Sequence, residues 1–313
     1  MKFWEKDGLM ALLLGLILPA VLLNLIGRSP GTDPVQTTET QSREETLSIL
    51  LLVDGETVEM PLEEYLVGVL LGEMPAEFEP EALKAQAVVA RTYALRRLEH
   101  PKHPNATVCD TGGCCQEYRD PRFCENPEIL EKMTGAVLDT AGLVLTYGGV
   151  LIDATYFSSA GGRTEDALAV WGSDIPYLQA TDSPEIGFAD RYLQTVTMTT
   201  EAFCEELGYY PDGPCETWLG DITYTEGGGV ETMVIGERLF TGIELRGLLG
   251  LRSTAFVMTA VGDHVTITTR GFGHRVGMSQ YGAQAMALEG SSYDAILYHY
   301  YAGTTLGQYI DKD

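Results

Sequence analysis

The chain opens on its most apolar stretch. Residues 8–27 run for twenty positions without a charge, and only Asn24 among them is strongly polar. As a helix rising ~1.5 Å per residue, this stretch would reach ~30 Å, the thickness of a bilayer's hydrocarbon layer. Arg28-Ser29-Pro30 follows at once, without the small-x-small site of a cleaved leader, so the pattern predicts a retained transmembrane anchor. Lys2 and Lys6 ahead of the run favour a cytoplasmic N-terminus with the remainder outside. Residues 28–46 are rich in Pro, Thr, Gln and charge and offer no apolar face, which predicts a flexible linker. The expected organisation is a tail over 1–7, the anchor over 8–27, the linker over 28–46 and a folded domain over 47–313.

Beyond the linker the hydrophobic period changes several times. Leu47 to Val53 reads as a strand and Asp54-Gly55 as a hairpin turn. A helical pattern runs from Pro61 to Met74 and stops at Pro75, and Pro80 to Glu99 predicts a second helix. Ala85, Ala87, Ala90 and Ala94 give that second helix a small-residue face for close packing. Residues 142–159 predict a hairpin with a Gly148-Gly149 turn, and Val265 to Arg270 alternates as a strand. Ser279, as N-cap, opens a helix that ends near Gly290, and residues 292–301 form a last short one. Runs of helices followed by runs of strands predict the α+β class: an N-terminal transmembrane helix, then one mixed helix/strand unit outside the cytoplasm, in one or two lobes.

Charge narrows the function. The 313 residues carry 20 Lys plus Arg against 45 Asp plus Glu, a formal charge of −25, and residues 29–313 hold 17 of those cations and 43 of those anions. Binding a nucleic-acid backbone needs clustered cations, so it is excluded as the main activity. A hydrophobic content of 45% argues against disorder over most of the length. One local exception to the acidity is the stretch with Lys84, Arg91, Arg96, Arg97 and Lys102, readable as a solvated helix face or as a contact for an anionic ligand.

Candidate chemistry concentrates in four places. Glu73 lies among Leu70, Leu71, Met74 and Phe78, a setting that raises a carboxyl pKa and suits a general acid, although a solvated helix-end carboxylate would look the same. Glu77 and Glu79 could add the second carboxylate that hydrolysis needs, or merely serve the dipole of the next helix. His103, Cys109, Cys114, Cys115 and Cys124 crowd into 22 positions of a Gly- and Pro-containing loop, which suggests zinc or, outside the cytoplasm, disulfides. Cys204 and Cys215 are a separate pair, bonded or simply buried. Finally, the turn Ser158-Ser159-Ala160-Gly161-Gly162 and the Gly-rich segment from Arg270 to Gln280, with His274, put polar groups at loop tips where ligands bind. Neither has the spacing of a phosphate loop.

Four of these segments together resemble the stage II sporulation protein D family. They are Glu73-Met74-Pro75-Ala76-Glu77-Phe78, the run from Ala85 to Ala94, the Ser-Gly-Gly turn, and Gly273-His274 through Gly277-Met278-Ser279-Gln280-Tyr281-Gly282-Ala283. The resemblance implies a lytic transglycosylase that cuts peptidoglycan glycan strands during forespore engulfment, with Glu73 as catalytic acid. It implies zinc on His103, Cys109 and Cys115, whose six-residue steps match clostridial members, with Cys114 and Cys124 as bystanders or a substitute ligand. Arg91, Tyr93, Ser158, His274, Gln280 and Tyr281 are then expected to bind substrate or support the site. The implied partners are the glycan strands and stage II sporulation proteins P and M, and the implied location is the cell membrane, facing the space between mother cell and forespore.

Two other functions stay in view: a non-catalytic activator of a cell-wall amidase, as in the wider family, and a metal-dependent hydrolase. The second is weaker, because no H-E-x-x-H helix is present. Two departures from the family pattern stand out. Arg275 follows the motif's His where the family usually has Gly, which implies strain if the backbone there needs a positive φ. Ala160 stands where the family often has Cys or Ser.

Overall fold

In the computed structural model, which describes residues 47–185 and 192–310, the described residues are organised around the helix Pro80–Glu99. The described residues lie in the unit Glu45–Asp313. In chain order, they form β1 (Ser48–Val53), β2 (Glu56–Pro61), α1 (Leu62–Glu73), α2 (Pro80–Glu99), β3 (Val108–Cys109), α3 (Pro127–Asp139), β4 (Leu143–Tyr147), β5 (Val150–Leu151), β6 (Tyr156–Phe157) and α4 (Ala167–Trp171). Then come β7 (Leu193–Thr199), α5 (Thr200–Leu207), β8 (Leu219–Tyr224), β9 (Val230–Ile235), β10 (Arg238–Thr241), α6 (Gly242–Leu248), β11 (Phe256–Val261) and β12 (His264–Arg270). The chain closes with β13 (Met278–Ser279), α7 (Gln280–Leu288), α8 (Tyr293–Tyr300) and β14 (Thr305–Gln308).

Helix α2 buries twelve of its twenty residues. Its alanines Ala82, Ala85, Ala87, Ala90 and Ala94 have no exposed surface, and they let α1, α3, α7, α8 and β4 all pack against it. A helix buried along most of its length, with small side chains at its contacts, belongs in a core. Leu66, Leu70, Val88, Val137, Leu145 and Ile296 complete that core. Small sheets frame it, in the orders β2-β1-β3, β14-β4-β5 and β13-β6. The pair β13-β6 is parallel, with Met278 opposite Tyr156 and Ser279 opposite Phe157. This short pairing joins residues more than a hundred positions apart and sets the register of one wall of the site.

Residues 193–270 make a second lobe inserted between these halves. Two antiparallel three-stranded sheets, β10-β9-β8 and β11-β12-β7, close with α5 and α6 over their own core of Phe203, Trp218, Ile235, Phe240, Leu245, Phe256 and Ile267. Cys204 and Cys215 lie in that core as free thiols.

The expected fold class needs one correction. The described residues do form a mixed α+β arrangement, but no helix among them is long and apolar enough to cross a membrane. The transmembrane helix is therefore withdrawn from the fold class. The span expected over 8–27, with the tail over 1–7 and the linker over 28–46, lies outside the described residues.

Arg275 joins the lobes. Its backbone has φ +68°, a left-handed conformation that costs a residue with a Cβ about 1–2 kcal/mol. The side chain, almost wholly buried, donates to the carbonyls of Ala160 (2.8 Å), Arg163 (2.7 Å) and Gly227 (2.7 Å) and to the carboxylate of Glu165 (3.0 Å). Gly227 belongs to the β8–β9 turn of the second lobe, and Glu165 also accepts from Gly229 N–H and the Thr225 hydroxyl there. Removing one member of a buried ion pair costs about 3–5 kcal/mol, because the other is left charged and unpaired. Arg275→Gly thus sets relief of backbone strain against loss of the pair. We expect the loss to win, with thermal unfolding lowering Tm by several degrees; an unchanged or higher Tm would mean that the guanidinium does not hold the lobes together.

Candidate active site and metal-binding cluster

Glu73 is the last residue of α1, and its position follows from two glycines on that helix. A Cβ on Gly68 would strike the Tyr118 ring, and one on Gly72 would lie 2.6 Å from the Glu117 carbonyl oxygen. Their absence of side chains lets residues 117–119 lie directly on α1, where Arg119 N–H donates to the Gly68 carbonyl (3.0 Å) and Tyr118 stacks on Tyr65 (5.8 Å between centroids). The same approach brings Glu117 N–H to Glu73 Oε1 at 2.8 Å.

Two further groups close on the carboxyl. The Tyr156 hydroxyl, from β6, donates to Oε1 (2.9 Å), and Gln280 Nε2, at the start of α7, approaches Oε2 (3.4 Å). Tyr156 is itself held by Gln116 Nε2 (3.2 Å), whose Oε1 accepts from the Tyr65 hydroxyl (3.1 Å). Burial raises the Glu73 pKa above the ordinary carboxylate value, against the opposing pull of these hydrogen bonds. Oε1 is thus occupied by two donors, which leaves Oε2 as the oxygen for a proton.

Glu73 opens into a cleft of about 1230 Å³ between α1, the 112–119 loop, the β6 strand with Ser158, and the Phe272–Tyr281 segment, with Trp171 and Arg246 on its rim. Its charged lining is Glu73 and Glu117 against Arg97, Lys102, Arg119 and Arg246. In a chain of net charge −25, this is a local excess of cations. Glu77 is exposed and neither it nor Glu79 lines the cleft. The second carboxylate in the cleft is instead Glu117, exposed and accepting from Gly112 N–H (3.3 Å).

The other expected residues divide clearly. Tyr93, Ser158, His274, Gln280 and Tyr281 all line the cleft with Glu73. Arg91 does not. It is fully buried in α2, paired with Glu63 through two bonds (2.8 and 2.6 Å) and donating to the carbonyls of Leu143 and Val137. The structure places it outside the cleft lining, in the supporting role: every bond it makes clamps α1 to α2, α3 and β4. The Tyr93 phenol is pushed up by burial and carries Arg97 over its ring (5.1 Å). His274 packs against Phe157 and Trp171 (5.5 and 5.4 Å). Burial, helped by the Arg246 charge, lowers its pKa to about 4, so the imidazole is neutral at neutral pH. Its Nδ1 accepts from Val276 N–H (3.1 Å).

Several contributors carry no signal in a linear reading. Glu117 acts through its backbone N–H, which any residue but Pro could supply. Tyr156 lies two residues ahead of the Ser158–Gly162 turn, on a strand of two residues that is too short to show a period. Arg246 comes from the second lobe. Glu185 is buried, and burial raises its pKa. It accepts from Ala160 N–H (2.6 Å) and the Ser183 and Ser279 hydroxyls (3.0 and 3.1 Å), binding the Ser-Ser-Ala-Gly-Gly turn to the N-cap of α7.

Beside Glu73 the 103–117 loop gathers His103, Cys109, Cys114 and Cys115, whose ligand atoms all lie within 4.8 Å of one another. His103 Nε2 is 3.3 Å from Cys115 Sγ and 3.8 Å from Cys114 Sγ. None of the thiols is in a disulfide. One imidazole and several thiols at this spacing suit a tetrahedral, thiophilic cation. Cys124 stands apart, its Sγ donating to the Asn126 carbonyl (3.4 Å).

Known proteins share much of this chain. The SpoIID family model, stage II sporulation protein, matches residues 55–147. Stage II sporulation protein D of Bacillus subtilis (strain 168) is 40% identical over 290 residues, which cover 90% of this chain and 80% of that protein. Stage II sporulation protein D of Bacillus amyloliquefaciens is 38% identical over 301 residues, covering 90% of this chain and 87% of its own. An amidase enhancer of Bacillus subtilis (strain 168) is 32% identical over 297 residues, 78% of this chain but 40% of that protein.

The raised pKa of Glu73 has a consequence for stability. The folded chain holds this proton to higher pH than the unfolded chain, so ionising Glu73 costs stability once pH rises above the unfolded carboxyl's ordinary value. Glu73→Gln removes that cost while keeping an acceptor for Glu117 and Tyr156. Its Tm should exceed the parent's at pH 7 and converge with it below about pH 4. A Tm deficit that is the same at both pH values would contradict the desolvation of Glu73.

Proposed function

This chain belongs to the stage II sporulation protein D family, and from that premise we propose that it is a lytic transglycosylase of peptidoglycan glycan strands with Glu73 as its single acid and base. The observation that carries this reading is the Glu73 carboxyl whose pKa burial raises, with Oε1 occupied by two donors, in the wall of a cleft whose charged lining is mainly cationic. Muramoyl residues bear lactyl carboxylates, and Arg97, Lys102, Arg119 and Arg246 provide the opposite charge.

The proton inventory needs only one carboxyl. Glu73, protonated at Oε2, gives its proton to the glycosidic oxygen as the C1–O bond breaks. The carboxylate formed is stabilised by Glu117 N–H, the Tyr156 hydroxyl and Gln280. It then takes the proton of the muramoyl 6-hydroxyl as that oxygen bonds C1. A 1,6-anhydro end results, Glu73 is protonated again, and no water is consumed. The neutral His274, with Trp171, Tyr93 and Tyr281, supplies apolar faces and hydrogen-bonding edges for the sugars. Hydrolysis would instead call for a second carboxylate, and Glu117 is the one in reach of the cleft.

Zinc on His103, Cys109 and Cys115 belongs to the same reading. When bound it would supply structural cross-linking of the loop that carries Gln116 and Glu117. On family membership we also propose action in the extracytoplasmic space during forespore engulfment, beside stage II sporulation proteins P and M. The amidase-enhancer relative supports a second reading, a non-catalytic activator of a cell-wall amidase.

Incubation with glycan strands stripped of stem peptides separates these. The proposal expects anhydro-muramoyl ends by mass spectrometry and a rate reduced roughly 10²–10⁴-fold in Glu73→Gln. Activity should fall as pH rises through the raised Glu73 pKa, because the first step needs the acid form. Intact glycan combined with stimulated amidase activity would favour the activator, and reducing ends that survive Glu73→Gln would favour a metal-dependent hydrolase.

A further inference from the structure

The loop carrying the metal-type cluster ends on the active carboxyl, and its side chains offer one ligand more than the His-Cys-Cys set. Cys114 Sγ lies with His103 Nε2, Cys109 Sγ and Cys115 Sγ inside the 4.8 Å group. Metal–ligand bonds of about 2.0–2.3 Å in a tetrahedron separate ligand atoms by about 3.5–3.8 Å. The His103–Cys114 and His103–Cys115 separations, 3.8 and 3.3 Å, fall at that scale. Consecutive cysteines can share the cluster because Cys114 N–H and Cys115 N–H both donate to the Thr111 carbonyl (2.9 and 2.7 Å), a tight turn that aims both side chains at His103.

Charge points the same way. Three thiolates on a divalent cation leave a net charge of about −1, and Lys102 stands beside them with its ammonium donating to the Cys114 carbonyl. Cys115 is followed by Gln116, which holds Tyr156, and then by Glu117, whose N–H holds Glu73.

We infer that Cys114 is the fourth ligand of a closed Cys₃His zinc site, and that this site acts as a clasp fixing the Gln116–Glu117 backbone against Glu73. This rests on the zinc reading above but not on the glycan chemistry. A closed four-ligand site has no open position for water, which is the mark of a structural zinc. Cys109 and His103 anchor one end of the loop, Cys114 and Cys115 the other. Cys114 and Cys115 also face the cleft, so the clasp is one wall of the site as well as its support.

The test uses the full chain, reduced and loaded with Co²⁺ in place of zinc. Thiolate-to-cobalt charge-transfer absorption scales with the number of sulfur ligands, so Cys114→Ser should lose about a third of it and bind Co²⁺ roughly 10–100-fold more weakly. Cys124→Ser should keep both. Hydrogen exchange at the Glu117 amide should speed up when the metal is chelated. Unchanged absorption and affinity in Cys114→Ser would overturn the assignment in favour of three protein ligands and a water. Failure of the reduced parent to take up Co²⁺, or a native disulfide between Cys114 and either neighbouring cysteine of the cluster, would overturn it as well. None of these readouts involves glycan, so they stand or fall apart from the transglycosylase proposal.

Discussion

Holding a half-buried Glu73 carboxyl at the wall of the cleft, while giving it three hydrogen-bond donors, is the constraint around which this structure is built. The donors come from places distant in sequence: Glu117 N–H from the cysteine-rich loop, the Tyr156 hydroxyl from β6 and the Gln280 amide from the start of α7. Each needs its own scaffold. Gly68 and Gly72 allow the loop to lie on α1, the parallel β13-β6 pair fixes Tyr156 beside Gln280, and Glu185 ties the α7 N-cap to the Ser-Ser-Ala-Gly-Gly turn. Helix α2, with its alanine surface, is what lets α1 and α7 come close enough for these parts to meet.

The buried ion pairs serve that arrangement without entering the chemistry. Arg91 consumes its guanidinium on Glu63 and two carbonyls at the hub of the helices, and Arg275 does the same at the junction of the lobes. Both are fasteners of the fold, each buried guanidinium spending four of its five N–H donors on carbonyls and a carboxylate. The strain expected of Arg275 is present, with φ +68°, and its four hydrogen bonds explain why it is tolerated. The second lobe contributes Arg246 to the lining of the cleft, where its charge adds to burial in keeping His274 neutral.

Much of this was legible in the sequence, and the boundary is physical. The β1–β2 hairpin, α1, α2, the β4–β5 hairpin, β12, α7 and α8 all carry local signals: Asp54-Gly55 and Gly148-Gly149 turns, prolines at helix starts, Ser279 as N-cap. Glu73 was readable from its apolar neighbours, and the cluster from the spacing of its cysteines. Helix α3 was not read, despite its Asn126 cap and Pro127 start, nor was most of the second lobe, where a strand such as β7 half-buries only every second side chain. Whether Arg91 would bind substrate or support the site stayed open because a basic residue on a helix gives no hint of whether its partner is a ligand or, as here, Glu63. Two of the three donors to Glu73 were hidden, because one is a backbone N–H and the other reaches it across 83 positions of sequence.

The central claim is that Glu73 works as one desolvated carboxyl that shuttles a proton without activating water. Cleavage of glycan strands in H₂¹⁸O, with the new ends weighed by mass spectrometry, tests it directly. The account predicts anhydro-muramoyl ends without ¹⁸O. One ¹⁸O at C1 of every new reducing end would show that water is the nucleophile and would contradict it.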